Sequence, residues 1–444
     1  MHKLYFALLM NLFKKNIISS LFLTLVMASG LIGESLVFPP YTHSYGIRKA
    51  TPKHLFMFFG TSSKFTDPQG LATTRLDSWD DPETKKDDDE VVVYGVNSGM
   101  HQIIYNTSMY ALALYGKKGS GNGCFMFPKG IVTNNKGDVY IADSGNNRIV
   151  HLFNPKAGLI WKTSFNGASQ VDSGMTGPMR VSLDEDGNLY AADAVHRKIF
   201  VFTKDHSLKM TIPAKGSSAI FADSPTALVV ADGTNHWSFF KNERVIFCAD
   251  QSGTRLWKIQ IDGTVIKNVK LPDGYHAFYG ATDYYHNFWI TDIRKHCVIK
   301  YDHELNFLEI FGSHGEKKDQ FVEPRGIAIY KRFGQVFIAE KSGAQYYWIG
   351  TQYKGASLKM ASPSKFDLTV KSTEFSFVSL LSVSDNKKDT VYYLKKQMFF
   401  PLSDQFRISD SSGLGKASSI ELKIEPTYSS YTFNSWFYPL TILK

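Results

Sequence analysis

With 444 residues, 43% hydrophobic and 20% charged, the chain has the apolar content for a sizeable core, which excludes global disorder. The net charge of +9 is spread in pairs such as Lys14-Lys15, Lys117-Lys118 and Lys387-Lys388 rather than gathered in a block, which argues against a nucleic-acid-binding face and suits a chain that simply stays soluble. Cys124, Cys248 and Cys297 are too few for a disulfide framework and match no zinc spacing, while the 14% of aromatic residues favours β-structure.

The chain opens with an export signature. Lys3, Lys14 and Lys15 precede an apolar run from Ile17 to Ile32, and small residues follow at Ala28, Ser29, Gly30 and Gly33. The run is short of the ~20 residues a membrane-spanning helix needs. Residues 1–35 therefore read as a cleaved signal peptide, with an uncleaved N-terminal membrane anchor as the alternative. Either implies a secreted, periplasmic or cell-surface protein.

One pattern then returns six times. Phe127-Pro128-Lys129-Gly130-Ile131-Val132 is followed by Val139-Tyr140-Ile141-Ala142-Asp143 and Ile149. Pro178-Met179-Arg180-Val181, Pro225-Thr226-Ala227-Leu228 and Pro324-Arg325-Gly326-Ile327 begin similar copies, and weaker ones begin at Pro68 and Phe278. Each copy has a polar residue at the end of its second apolar run: Asn97, Asp143, Asp193, Asp250, Asp292 and Glu340. Short apolar runs bounded by Asn, Asp and Gly read as strands joined by turns. The acidic residue reads as a turn former that accepts hydrogen bonds from the turn's own amides. Four strands per repeat predict a blade, and a blade buries its faces only against neighbouring blades.

These stretches resemble NHL repeats, most closely at Phe127–Phe153 and next at Phe321–Ile349. The resemblance covers about residues 53–352 and implies an all-β, six-bladed β-propeller with a central channel and loop-built binding faces. The last copy lacks a fourth strand, and Leu55–Phe59 resembles the strand preceding that copy, so Leu55–Phe59 is expected to close the ring by completing the last blade. An insertion at Thr73–Glu90 carries Asp80-Asp81 and Asp87-Asp88-Asp89-Glu90. Without the glycine and spacing of a calcium loop it reads as a solvated charged loop. Residues 362–444 leave the repeat, and their short alternating runs predict a small C-terminal β-sandwich-like domain.

The residues after each repeat proline, namely Gln69, Lys129, Met179, Thr226, Tyr279 and Arg325, are expected to crowd the channel mouth. Among them Gln69, Lys129, Tyr279 and Arg325 are the ligand-binding candidates, because a basic, aromatic mouth suits an anionic or sugar-like ligand. The resemblance also extends to the peptide-amidating lyases, propellers of the same repeat type that carry zinc-binding histidines as Pro-His. None of the matching positions here is His, so no metal site and no cofactor are expected. The thirteen histidines read as scattered surface or turn residues at no repeated blade position. No nucleophile elbow, paired zinc histidines or phosphate loop occurs; Gly116–Gly123 precedes a strand and reads as a loop between blades. The expected function is a monomeric binding or scaffold propeller, more a binder than an enzyme, recognising a protein or glycan ligand and no nucleic acid. The alternative is a metal-assisted lyase or lactonase-like hydrolase acting at the channel mouth.

Overall fold

The computed structural model describes residues 36–37, 49–80, 90–108, 111–156, 158–168, 174–214, 220–221, 223–250, 252, 254–317, 319–383, 390–409, 413–417, 419–428 and 435–443. Residues 1–35, expected to direct export, and most of the acidic insertion, residues 81–89, lie outside them. The chain divides into two compact units, one spanning Leu36–Ile349 and one built on Gly350–Lys444.

In the first unit the repeats form sheets in chain order. Sheet 1 comprises Pro68–Thr74, Val92–Asn97, Gln102–Ser108 and Ala111–Tyr115; sheet 2 comprises Ile131–Thr133, Asp138–Asp143, Arg148–Phe153 and Ile160–Phe165. Sheet 3 comprises Pro178–Leu183, Leu189–Asp193, Lys198–Phe202 and Leu208–Ile212; sheet 4 comprises Pro225–Asp232, Arg244–Asp250, Arg255–Gln260 and Val265–Lys270. Sheet 5 comprises Tyr279–Thr282, Phe288–Asp292, Cys297–Tyr301 and Phe307–Phe311. Sheet 6 has Ile327–Tyr330, Gln335–Glu340 and Gly343–Ile349. All are antiparallel meanders, as short connections between consecutive strands require.

The first strand of each sheet touches the first strand of the next, and Ile327–Tyr330 of sheet 6 returns to Pro68–Thr74 of sheet 1. Apolar residues fill the space between adjacent sheets: Tyr94 and Val96 with Ile141 and Leu152, Ala142 with Phe200, Val201 with Ile246, and Phe247 with Ile290. Such residues alternate out of both faces of each strand, so every sheet is covered twice and the ring is the arrangement that buries them. Glycine permits the closest approach of the inner strands. A Cβ on Gly130 would lie 2.8 Å from the Met179 carbonyl oxygen of the next sheet, and one on Gly326 would collide with the Gln69 carbonyl oxygen where sheet 6 meets sheet 1.

The expected closing strand is corrected. Pro52–Phe59 is an α-helix, and Leu55–Phe59 supplies no strand. Thr51 caps it, with the His54 side chain reaching back in a capping box, and Pro52 opens its first turn. Those start signals outweigh the apolar content of the run. Its Leu55 is buried while Phe56 and Met57 are 61% and 59% exposed, a one-sided burial that a helix produces and a core strand does not. The N-terminal segment still edges sheet 6, through earlier residues. Leu36 and Val37 pair with Ile349 and Trp348, and Lys49 and Ala50 pair with Gln345 and Ala344.

The second unit has two four-stranded sheets. One orders Asp404–Ser409, Lys365–Ser372, Tyr353–Ser362 and Ile442–Leu443; the other orders Thr390–Phe399, Ser376–Val383, Ile420–Pro426 and Trp436–Leu440. Their inward residues, including Leu358, Phe366, Leu368, Val378, Leu380 and Leu422, form one core, as in a sandwich. The unit begins before the expected residue 362. Tyr353–Ser362 is a long strand whose apolar residues alternate too weakly to be read as one. The last of the short alternating runs expected to build this domain, Tyr431–Phe433, lies outside the described residues.

Candidate binding site in the propeller channel

The repeat acids act as anchors between the turn and the loop that enters each inner strand. Asp143 accepts from the Met126 amide at 2.7 Å and holds Asn146 Nδ2 at 2.7 Å and Arg148 Nε at 2.9 Å. Asp193, Asp292, Asn97 and Glu340 accept in the same way from the amides of Thr176, His276, Thr66 and Val322. Asp250 accepts from Thr254 and Arg255. In five copies the role thus extends from the local turn to the preceding loop, while the bonds of Asp250 stay within its own turn; each role calls for an acceptor.

The histidine reading needs correction on two points. His101 and His296 do occupy one repeated position, four residues after Asn97 and Asp292, and both adopt left-handed backbone. Their Nδ1 atoms accept from the amides of Phe127 and Glu323, each at 3.0 Å, and Asn147 Oδ1 does the same for Gly177. The equivalence was hidden because the six copies hold His101, Asn147, Arg197, Thr254, His296 and Ala344 there, and only the His and Asn side chains accept in this way. His286, in turn, is no surface residue: it is fully buried.

Several of the six residues that follow the repeat prolines, or their equivalents, are tied across the inner strands, with roles the sequence did not distinguish. Tyr279 crosses the channel, where its hydroxyl accepts from the Ile131 amide at 3.4 Å. Arg180, only 1% exposed, lies against it, with its guanidinium 4.5 Å from the Tyr279 ring centre and 4.8 Å from that of Phe278. Arg180 donates to the Phe278 carbonyl at 2.9 and 3.3 Å and to its neighbour Met179 at 3.0 Å, and Thr226 Oγ1 donates to the same Phe278 oxygen at 2.9 Å. Burial pushes the Arg180 guanidinium down to about 10 and raises the Tyr279 phenol. Together the two side chains fill the middle of the channel. Sequence reading singled out the residue before Arg180, because a side chain next to the repeat proline was expected to point inward.

Around this plug, Gln69 donates to Asp67 at 2.9 Å, and Arg325 bonds both Asp67 and Glu323, the latter at 3.0 Å. Lys129 is half-buried. Burial lowers its pKa, nearby Arg180 lowers it further, and Asp67 partly restores it. Gln69 and Arg325 thus share Asp67, and Lys129 lies close enough to Asp67 and Arg180 to feel both charges.

A separate opening lies where the inner strands end. A cavity of about 760 Å³ is lined by turns of five sheets: Thr74 and Arg75, Asn134–Lys136, Asp184–Gly187, Asn235–Trp237, and Tyr330 and Lys331. Its polar groups are held before any ligand arrives. Asn135 Nδ2 donates to Asp77 at 3.0 Å, Asn134 Nδ2 to Asp138 at 2.9 Å, Asn235 bonds Glu185, and Arg244 holds Asp186 at 2.8 Å. Trp237 adds a part-exposed aromatic ring, while the buried Tyr140 stacks on His151 at 4.4 Å. The Lys331 ammonium has no hydrogen bond or ion pair among the described residues, and burial lowers its pKa. None of these residues carried a sequence signal beyond turn composition.

Two further constellations lie in the turns and strands of sheets 4 and 5. Ser238 Oγ is 2.6 Å from His286 Nε2, and His286 Nδ1 is 2.6 Å from Glu243 Oε2. Because a carboxylate only accepts, Nδ1 carries the proton and Nε2 accepts from the serine. This is the geometry of a nucleophile relay, yet Ser238 and His286 are both 0% exposed, so no substrate carbonyl reaches the hydroxyl. The relay ties sheet 4 to sheet 5. Beside it, Glu243, His303 and Glu304 form the only three-donor cluster close enough for a metal ion among the described residues. Lys258 already fills the cationic role there, 2.7 Å from Glu243 and 2.6 Å from Glu304. Burial opposes charge on Glu243, but His286, His303 and Lys258 outweigh it and hold its carboxyl well below the ordinary range.

The chain is similar to known proteins in one repeat and, distantly, to several solved structures. The NHL repeat family pattern matches residues 125–152. Among solved structures, virginiamycin B lyase from Staphylococcus aureus aligns at 14% identity over 65% of this chain and 97% of its own, with a TM-score of 0.42. The gluconolactonase XC5397 from Xanthomonas campestris aligns at 10% identity over 71% of this chain and 98% of its own, with a TM-score of 0.43. The calcium-binding protein regucalcin from Agrobacterium tumefaciens aligns at 9% identity over 65% and 92%, with a TM-score of 0.44. No curated protein matches by sequence. Sheet order, paired cores and repeat agree on one conclusion: the chain is a β-propeller that carries an NHL repeat.

Proposed function

We propose that this chain is an exported binding propeller that recognises a glycan in the cavity at the turn end of its channel. The observation that carries the reading is the lining of that cavity, in which carboxylates, amides and aromatic faces from five sheets converge already fixed by their own hydrogen bonds. Carboxylates and amides pair with sugar hydroxyls, and the part-exposed Trp237 offers a ring to a sugar; fixing the polar groups beforehand lowers the ordering cost of binding. A protein ligand is the second form of the same reading, since the rim is built of turns from most of the blades.

The export segment at 1–35 supports a secreted, periplasmic or cell-surface setting, and no helix among the described residues is long and apolar enough to cross a membrane. Catalysis by a metal-assisted lyase or lactonase has less behind it. Its donors would have to converge in the cavity, and the three-donor cluster at Glu243 lies outside the cavity lining with a lysine already in place.

The test is a glycan array probed with the intact protein and with Trp237→Ala. The reading expects a restricted set of glycans bound by the wild type and lost at about tenfold or more in the variant, in line with loss of a buried aromatic contact. Absence of binding to any glycan, or binding unchanged in Trp237→Ala, overturns it.

A further inference from the structure

The other end of the channel has a charge imbalance that the protein itself does not resolve. Arg180 is buried, yet its partners are two carbonyl groups and two aromatic rings, with no carboxylate among the described residues. Three of its five N–H groups are engaged, which leaves two unspent. The Lys129 ammonium, close enough to Arg180 for each charge to be felt, has no hydrogen-bond or ion-pair partner among the described residues. Arg325 uses its two Nη atoms on Asp67 and Glu323, while its Nε is buried without a partner. Glu323 is shared further with Lys341 at 2.8 Å. Of these cations only Arg325 and Lys341 reach a carboxylate, while Lys129 and the buried Arg180 reach none among the described residues.

Buried charge is costly unless a counter-charge compensates it. A plug alone could have been built from an apolar side chain at 180. A guanidinium there, with a lysine in front of it, is the chemistry of a site that awaits an anion, because planar N–H groups and a mobile ammonium bind oxyanions by charge-assisted hydrogen bonds. We propose that the mouth formed by Lys129, Arg325 and, behind them, Arg180 binds the oxyanion group of a small ligand, a phosphate or a carboxylate. Lys129 and Arg325 meet the anion, Arg180 supplies the field from below, and Asp67 with Glu323 fixes the orientation of Arg325. This site is at the start of the inner strands and stands apart from the glycan cavity at their end, so either reading can fail without the other.

The experiment is calorimetric and thermal-shift titration of the full chain with inorganic phosphate and with acetate, against chloride at constant ionic strength. The expected result is saturable binding of one oxyanion with a rise in Tm, weakened about tenfold or more in Lys129→Met, as expected for loss of a charge-assisted hydrogen bond. Exposed Lys359→Met in the C-terminal unit should bind as the wild type does. Tighter phosphate binding assigns a phosphate-bearing ligand, and tighter acetate binding assigns a carboxylate-bearing one. Arg180→Met reports on the buried charge, but Lys129→Met carries the test, since its side chain bonds nothing the fold needs. Oxyanions no better than chloride, or binding that Lys129→Met leaves unchanged, overturn the proposal.

Discussion

The hydroxyl of Tyr279 in sheet 5 accepts a hydrogen bond from the backbone amide of Ile131 in sheet 2, on the far side of the ring. One side chain thus bridges two non-neighbouring sheets and divides the channel into two mouths. The same hydroxyl lies 2.5 Å from where a Cβ on Gly70 would be, so sheet 1 is pressed against it as well. Tyr279→Phe should lose about 0.5–1.5 kcal/mol of stability, the ordinary value of one hydrogen bond. Tyr279→Ala should lose about 3–5 kcal/mol, because it leaves a void beneath Arg180. Denaturant unfolding of the two variants checks the difference.

Ring closure is tested at both of its seams. Gly326→Ala forces a methyl group onto the Gln69 carbonyl and should cost about 1–3 kcal/mol, as overpacking does. Removal of residues 1–35 keeps the Leu36–Val37 pairing with Ile349 and Trp348, whereas removal of residues 1–50 exposes that edge. The shorter truncation should unfold like the full chain, and the longer one should unfold at lower denaturant and aggregate more readily. Equal midpoints for the two truncations would count against the edge role.

The Ser238–His286–Glu243 relay should behave as a structural link. Ser238→Ala should lower stability by about 1–3 kcal/mol through the orphaned His286 nitrogen, and a serine-directed fluorophosphonate should label nothing at Ser238. Burial, only partly offset by Glu243, holds the His286 pKa below its ordinary value of 6.5. The unfolded chain then binds the extra proton first, so stability should fall as pH drops below about 6.5. Glu243, held low, adds a second loss as pH falls further, below its ordinary value of 4.5. The slope between pH 7 and 5 should flatten in His286→Gln.

Asp143→Asn discriminates an anchor from a mere turn former. Asn97 serves sheet 1 because its Nδ2 donates to the Lys64 carbonyl at 2.8 Å. In sheet 2 the same NH2 group would face two donors, Asn146 and Arg148. The substitution should therefore cost about 2 kcal/mol or more, as for a lost charge-assisted bond. Asn97→Asp in sheet 1 should be unfavourable for the converse reason, with a carboxylate set against a carbonyl. Thermal denaturation of both variants reads the two effects.

Much of the fold was legible because it repeats. Six copies of one strand pattern can be aligned with one another, so weak signals at Pro68 and Phe278 gained meaning from the strong one at Phe127. Ring closure was legible in kind but not in place. An apolar count favoured Leu55–Phe59, while the Thr51–His54 capping box and Pro52 made that segment helical, and Leu36–Val37 is too short to stand out. The sites were less legible. Tyr279 and Lys129 were visible at a repeated position, but Arg180 sits one residue off it. The cavity residues lie in turns that differ in length from blade to blade. His286 gave no sign of burial, because its partners Ser238 and Glu243 are far from it in sequence.

Hydrogen–deuterium exchange of the full chain, with and without a bound glycan selected from the array, tests the central claim most directly. The account predicts protection in the turns 134–137, 184–187 and 235–237 and around Lys331, with the C-terminal unit unchanged. Protection confined to the C-terminal unit, or spread over the outer strands with those turns unaffected, would contradict it.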